Sequence, residues 1–125
     1  MPTTSKQSQH KILVIEDEGE MCLLLSLILD DQGFLVEHVN TLSAARQLLE
    51  KEAPALILLD NRLPDGLGVD FISYIKKNLP GVKIIMISGA DPEAEDAALE
   101  IGADHFLAKP FTKQQLHGSI NDLLN

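Results

Sequence analysis

The chain has 125 residues, 45% of them hydrophobic, and carries a formal net charge of -9 with a pI near 4.7. That length suits one domain able to build its own core without staples. The acidic balance argues against nucleic-acid binding by this segment, because a phosphate backbone selects for basic surface.

Cys22 is the only cysteine, so no internal disulfide can form and a reducing compartment is the expected setting. The N-terminus, MPTTSKQSQH, is polar and unlike a signal peptide. The longest apolar run, within Met21 to Leu29, falls well short of the ~20 residues a membrane span needs. A cytoplasmic protein with no membrane partner is expected. Residues 1–9 offer nothing to bury and read as a disordered leader, with one domain over 10–125.

Strand and helix patterns then alternate. Lys11 to Ile15 reads as a strand, followed by a helix from about Gly19 to Gln32 that Gly33 stops as a left-handed cap. Phe34 to Val39 alternates more and carries Glu37 and His38, which suits a strand at the sheet edge. Thr41 or Asn40 can cap a second helix running to about Glu52, with Pro54 barring continuation. A third strand leads into Asp60, and NRLPDGLG reads as a loop through Pro64, Gly66 and Gly68. A third helix is expected from about Leu67 to Asn78, before Pro80 and Gly81. After the fourth strand, Asp91-Pro92-Glu93 marks a helix start and Gly102 its end. After the fifth strand and Lys109-Pro110, Thr112 and Gln115 form a capping box for a last helix to about Leu124. Five such units joined by short connections predict an α/β fold, a doubly wound five-stranded parallel sheet of flavodoxin-like type with right-handed crossovers.

Four apolar runs end in residues that can handle phosphate or metal. Ile12 to Ile15 runs into Glu16 and Asp17, Leu56 to Leu59 into Asp60, Ile84 to Ile87 into Ser88, and Phe106 to Ala108 into Lys109. Short continuous apolar runs suit strands buried on both faces of a parallel sheet, whose ligands bind beyond the carboxyl ends of the strands. Three carboxylates, a hydroxyl and an ammonium should therefore converge. Such carboxylates repel one another unless a cation neutralises them, and oxygen-only ligands favour a hard divalent ion such as Mg²⁺. Asp60 is the candidate nucleophile, since a carboxylate can attack phosphorus to give an acyl phosphate. No Ser-His or Cys-His arrangement is expected beside it. Ser88 and Lys109 are candidate phosphoryl ligands. Each has a plainer alternative: helix capping for Asp60 and Ser88, solvated acids for Glu16-Asp17, an ordinary surface lysine for Lys109. The four histidines show no metal-ligand spacing, and GxGxxG, GxxxxGK[ST] and GxSxG are absent.

ILVIEDE, LILLDNRLPDGLG, IIMISGA and FLAKPF, in this order and spacing, resemble the receiver domain of two-component response regulators from Lys11 to Leu124. The resemblance implies phosphoryl transfer to Asp60 from a sensor histidine kinase or a histidine phosphotransfer protein. It implies Mg²⁺ held by Asp17 and Asp60, by Glu16 through water, and by the backbone carbonyl of Arg62. It implies that Ser88 and Phe106 form a switch acting on the face of helix four, strand five and helix five, that the Lys109-Pro110 bond is cis, and that the protein catalyses only its own phosphorylation and dephosphorylation. It leaves a phosphorylation-dependent homodimer open. Two departures stand out: glutamate precedes Asp17 where aspartate is commoner, and Phe106 replaces a frequent tyrosine.

Two other readings compete. One is a receiver that signals through a constitutive face without phosphorylation, against which the intact Asp17, Asp60, Ser88 and Lys109 count. The other is a flavodoxin-like or phosphatase relative, against which Asp60-Asn61-Arg62 lacks the second aspartate of aspartate-based phosphatases. Helix one carries surplus apolar residues. With Met21, Leu24, Leu25 and Ile28 on the sheet side, Leu23 and Leu27 fall on the outer face and are candidates for docking a helical phosphodonor. Arg62 and Ala90, two residues beyond Asp60 and Ser88, are expected to slow hydrolysis of an acyl phosphate.

Overall fold

A computed structural model describes residues 10–89 and 92–124. Five parallel strands form one sheet: β1 (Lys11–Ile15), β2 (Leu35–Val39), β3 (Leu56–Asp60), β4 (Lys83–Gly89) and β5 (His105–Lys109). Their spatial order is β2-β1-β3-β4-β5. From β1 the chain winds outward to β2 on one side and then crosses to β3 on the other, so the order reverses between β1 and β3. A crevice opens at that point in sheets of this kind. Among the described residues five helices connect and flank the strands: α1 (Gly19–Asp31), α2 (Leu42–Leu49), α3 (Gly68–Asn78), α4 (Pro92–Ile101) and α5 (Lys113–Leu124). None of the described helices is long and apolar enough to cross a membrane.

The doubly wound α/β sheet is therefore the one expected, and β2 lies at its edge. The period-two alternation of side chains splits the interior into two layers. Ile12, Val14, Leu56, Leu58, Ile85 and Ile87 pack with Leu25 and Leu29 of α1 and Leu116 and Ile120 of α5. Leu13, Ile15, Ile57, Leu59, Ile84 and Met86 pack with Ala45, Leu49, Phe71, Ile72, Ile75 and Ala98 of the other three helices. Both faces of β1 and β3 are covered, which is why their sequences run apolar without alternation.

Local signals explain most boundaries. Gly33 has φ 88° and follows α1. The Thr41 hydroxyl accepts from Ala44 N at 3.0 Å, and Thr112 and Gln115 exchange both bonds of a capping box at 2.8 and 3.0 Å. The Lys109-Pro110 bond is cis. The expected Asp91 cap, Ala90 and the 1–9 leader lie outside the described residues.

Three expectations need correction. α2 ends at Leu49 and not near Glu52, because Lys51 N turns back to Leu48 O and tightens the last turn. The segment after Asp60 is not only loop: Arg62–Leu63 pairs antiparallel with Gly66–Leu67 in a small ribbon, and α3 starts at Gly68. On α1 the buried stripe is Cys22, Leu25 and Leu29, whereas Leu24 is exposed. Positions three and four apart share a helix face, and the stripe that meets the sheet is centred one residue away from the one expected.

Candidate functional site

Ile15 pairs with Leu59 and Asp60 with Ile87, so β1, β3 and β4 deliver Glu16, Asp60 and Ser88 to one edge of the sheet. β5 runs further: Leu107 pairs with Ile87 and Lys109 with Gly89. From there the Lys109 ammonium reaches back to Glu16 Oε1 and Asp60 Oδ1, each at 3.3 Å. Glu16, Asp17, Glu18, Asp60, Arg62, Ser88, Gly89 and Lys109 line an open cleft of about 320 Å³. Every residue expected to touch a phosphoryl group or a metal is among them. Phe106 is not. It lies half-buried against the core layer of α2, α3 and α4, in register with Met86, while Ser88 is in register with Ala108. By strand alternation Ser88 and Phe106 therefore project to the same side of the sheet.

The electrostatics are those of crowded acids around one cation. Glu16 is 2% exposed and Asp60 7%. Burial lifts the Glu16 carboxyl above its ordinary value, and the Asp60 charge adds to this, while the Glu18 amide and Lys109 act the other way. Burial alone would lower the Lys109 ammonium, but the charges of Asp60 and Glu16 outweigh it and hold its pKa above the usual lysine value. Carboxylate oxygens of Glu16, Asp17 and Asp60 all lie within 4.8 Å of one another. An all-oxygen, net-negative set of that size suits a small hard divalent cation.

The loop after Asp60 is held stiffly. Gly68 N donates to Asn61 O at 2.7 Å and Val69 N to Asn61 Oδ1 at 3.0 Å. Asp65 at the ribbon's turn accepts from Leu42 N and Ser43 N, both at 2.9 Å, and so ties the ribbon to the start of α2. Those two amides hold the Asp65 carboxyl below the usual aspartate value.

One expectation about the surroundings fails. Cys22 and His38 do meet beside the site: Cys22 Sγ lies 2.8 Å from His38 Nε2. The pair is no competing nucleophile, because burial, reinforced by the neighbouring acids, pushes the Cys22 thiol up to about 11. Spacing in sequence could not show this contact, which joins β2 to α1 across the fold. Leu23 and Leu27 stand on the outer face of α1 with 62% and 61% of their surface exposed.

The family profile of the response regulator receiver domain matches residues 12–121. The chain belongs to that family. Among curated relatives it is 33% identical over 115 residues to the transcriptional regulatory protein BasR of Escherichia coli K12, and 33% identical over 119 residues to the phosphate regulon transcriptional regulatory protein PhoB of the same organism. These alignments cover 91% and 92% of this chain but 52% of each relative. The chain thus spans about half the length of the curated relatives it matches. A solved CheY-like receiver domain protein from Methanospirillum hungatei superposes with a TM-score of 0.88 at 31% identity, over 93% of this chain and 94% of that one. The receiver fold and the family are thereby established, and the acids at the strand ends form a pocket able to take a metal.

Proposed function

We propose that this receiver accepts a phosphoryl group on Asp60 from the phosphohistidine of a sensor kinase or phosphotransfer protein. The observation that carries the reading is the Lys109 ammonium set 3.3 Å from both Asp60 and Glu16 at the mouth of an acid-lined cleft. In the transfer, an Asp60 carboxylate oxygen forms the new O–P bond, the P–N bond to the donor imidazole breaks, and the imidazole takes up a proton. Lys109 supplies a point charge to the phosphoryl oxygens, and the Ser88 hydroxyl donates to another of them. Asp17, Asp60, Glu16 through water and the Arg62 carbonyl would hold a divalent cation, which we take to be Mg²⁺, and it would neutralise the carboxylates and the incoming group.

Once phosphoryl sits on Asp60, Ser88 is drawn toward it and Phe106 turns into the space behind, on the side of the sheet that both share. A small polar change thus becomes a packing change on the face of α4, β5 and α5. The protein catalyses only its own phosphorylation and dephosphorylation, in the cytoplasm. BasR and PhoB are transcriptional regulators, which fits a gene-regulatory output. Leu23 and Leu27 dock the phosphodonor as an exposed apolar pair on the helix that leads away from Glu16 and Asp17.

Acetyl phosphate with Mg²⁺ should add one phosphoryl mass to the wild type and none to Asp60→Asn. Labelling that persists unchanged in the variant would overturn the assignment.

A further inference from the structure

Three polar atoms from three segments of the chain meet beside the acid cluster. The main-chain oxygen of Glu16 lies 2.9 Å from His38 Nε2 on β2 and 3.1 Å from Cys22 Sγ on α1. Glu16 follows the last residue of β1 and is almost wholly buried, so its carbonyl needs a partner. Side chains supply it, while Glu16 N donates to Val39 O at 3.1 Å. Both main-chain groups of Glu16 are therefore tied toward the sheet-edge strand β2. Its side chain is tied as well: Oε2 accepts from Glu18 N at 3.1 Å and Oε1 from Lys109 at 3.3 Å.

We infer that His38 is a positioning residue, which by donating to the Glu16 carbonyl aims the Glu16 and Asp17 carboxylates at Asp60. The Glu16 carbonyl and the Asp17 amide belong to one rigid, planar peptide unit. Fixing that oxygen orients the plane and with it the direction in which the Asp17 side chain leaves the backbone. An imidazole N–H is the stronger of the two donors, since a thiol S–H is weak. Mg²⁺ demands near-ideal octahedral geometry, so a turn displaced by a few tenths of an ångström binds it less well. The inference rests on the phosphoacceptor reading of the same cleft.

Titration calorimetry of Mg²⁺ into the unphosphorylated protein tests it. His38→Leu should weaken Mg²⁺ about tenfold, the usual scale for losing a group that orients a metal ligand. His38→Gln should bind close to wild type, because its amide nitrogen can still donate to the Glu16 carbonyl. The melting midpoint without Mg²⁺ should stay near wild type in His38→Gln and fall modestly in His38→Leu, where Cys22 Sγ is left as the donor to the buried Glu16 carbonyl. Acetyl phosphate labelling of His38→Leu should recover at saturating Mg²⁺. Cys22→Ala, which removes the weaker donor, should lower affinity less than His38→Leu does. Wild-type affinity in His38→Leu, or equal losses in the Leu and Gln variants, would overturn the inference while leaving the phosphoacceptor reading intact. A wild type that binds no Mg²⁺ would overturn both.

Discussion

Gly68 sets its bare Cα against the main-chain carbonyl of Asp60: a Cβ there would stand 2.2 Å from the oxygen and 3.0 Å from Leu59 Cγ. No real side chain tolerates the first contact, and the obstacle is backbone, not a flexible tip. Gly68→Ala should therefore push α3 away from β3, costing about 1–3 kcal/mol as overpacking does, and shift Asp60 within the cleft. Denaturant unfolding with parallel acetyl phosphate labelling checks it. Wild-type values in both would refute the close approach.

Lys109→Ala leaves Glu16 and Asp60 facing one another without their counter-charge. Mg²⁺ affinity should rise, because the cation no longer competes with an ammonium. Labelling at saturating Mg²⁺ should nonetheless fall about 10²-fold, the scale of losing one charge-stabilising donor at a reacting centre. Calorimetry and mass spectrometry separate the two effects, and undiminished labelling would remove Lys109 from the chemistry.

Asp65 predicts a pH dependence. Its folded-state pKa is lowered by the amides of Leu42 and Ser43. The stabilisation is therefore present above the unfolded value of about 3.9 and is lost as pH falls through the folded one. Asp65→Ala should melt below wild type at pH 7, and the gap should close as pH falls below about 4. Asp65→Asn, which keeps one acceptor, should lie between. A gap that does not change with pH would show that the carboxylate charge is irrelevant to the clasp.

Arg62 is exposed at the rim of the cleft. Laid over the phosphoryl group, its guanidinium would slow attack by water, but an exposed ion pair is worth under about 1 kcal/mol. Arg62→Ala should shorten the lifetime of the phosphorylated state by about fivefold or less. An unchanged decay rate would mean that Arg62 points to solvent.

Leu23→Glu and Leu27→Glu should slow transfer from the cognate phosphodonor and leave acetyl phosphate labelling at its wild-type rate. Equal rates with the phosphodonor would end the docking proposal.

The strand-end residues were legible because an apolar run and its polar terminus are local and a parallel sheet aligns such termini. Glu16, Asp17, Asp60, Ser88 and Lys109 fall at one edge by sequence pattern alone, and all five line the cleft. What joins distant segments was not legible. The Cys22–His38 contact spans two elements, and Asp65 caps a helix that begins 23 residues before it. Gly68 shows a subtler limit. In sequence it is one of several loop glycines, and only the path of β3 reveals that it must be bare. Leu24 departs from the expected inward face because α1 is apolar on more than one side, so periodicity alone leaves its inward direction open by one residue.

The pairing of Lys109 with Glu16 closes a span of 93 residues. A chain emerging from the ribosome therefore carries Glu16, Asp17 and Asp60 long before the cation that offsets them has been synthesised. The acids stay mutually repelling and the cleft unfinished until β5 docks as the sheet's last strand. No product that ends before Lys109 can present the assembled cleft, so competence to receive a signal waits on the strand that carries it.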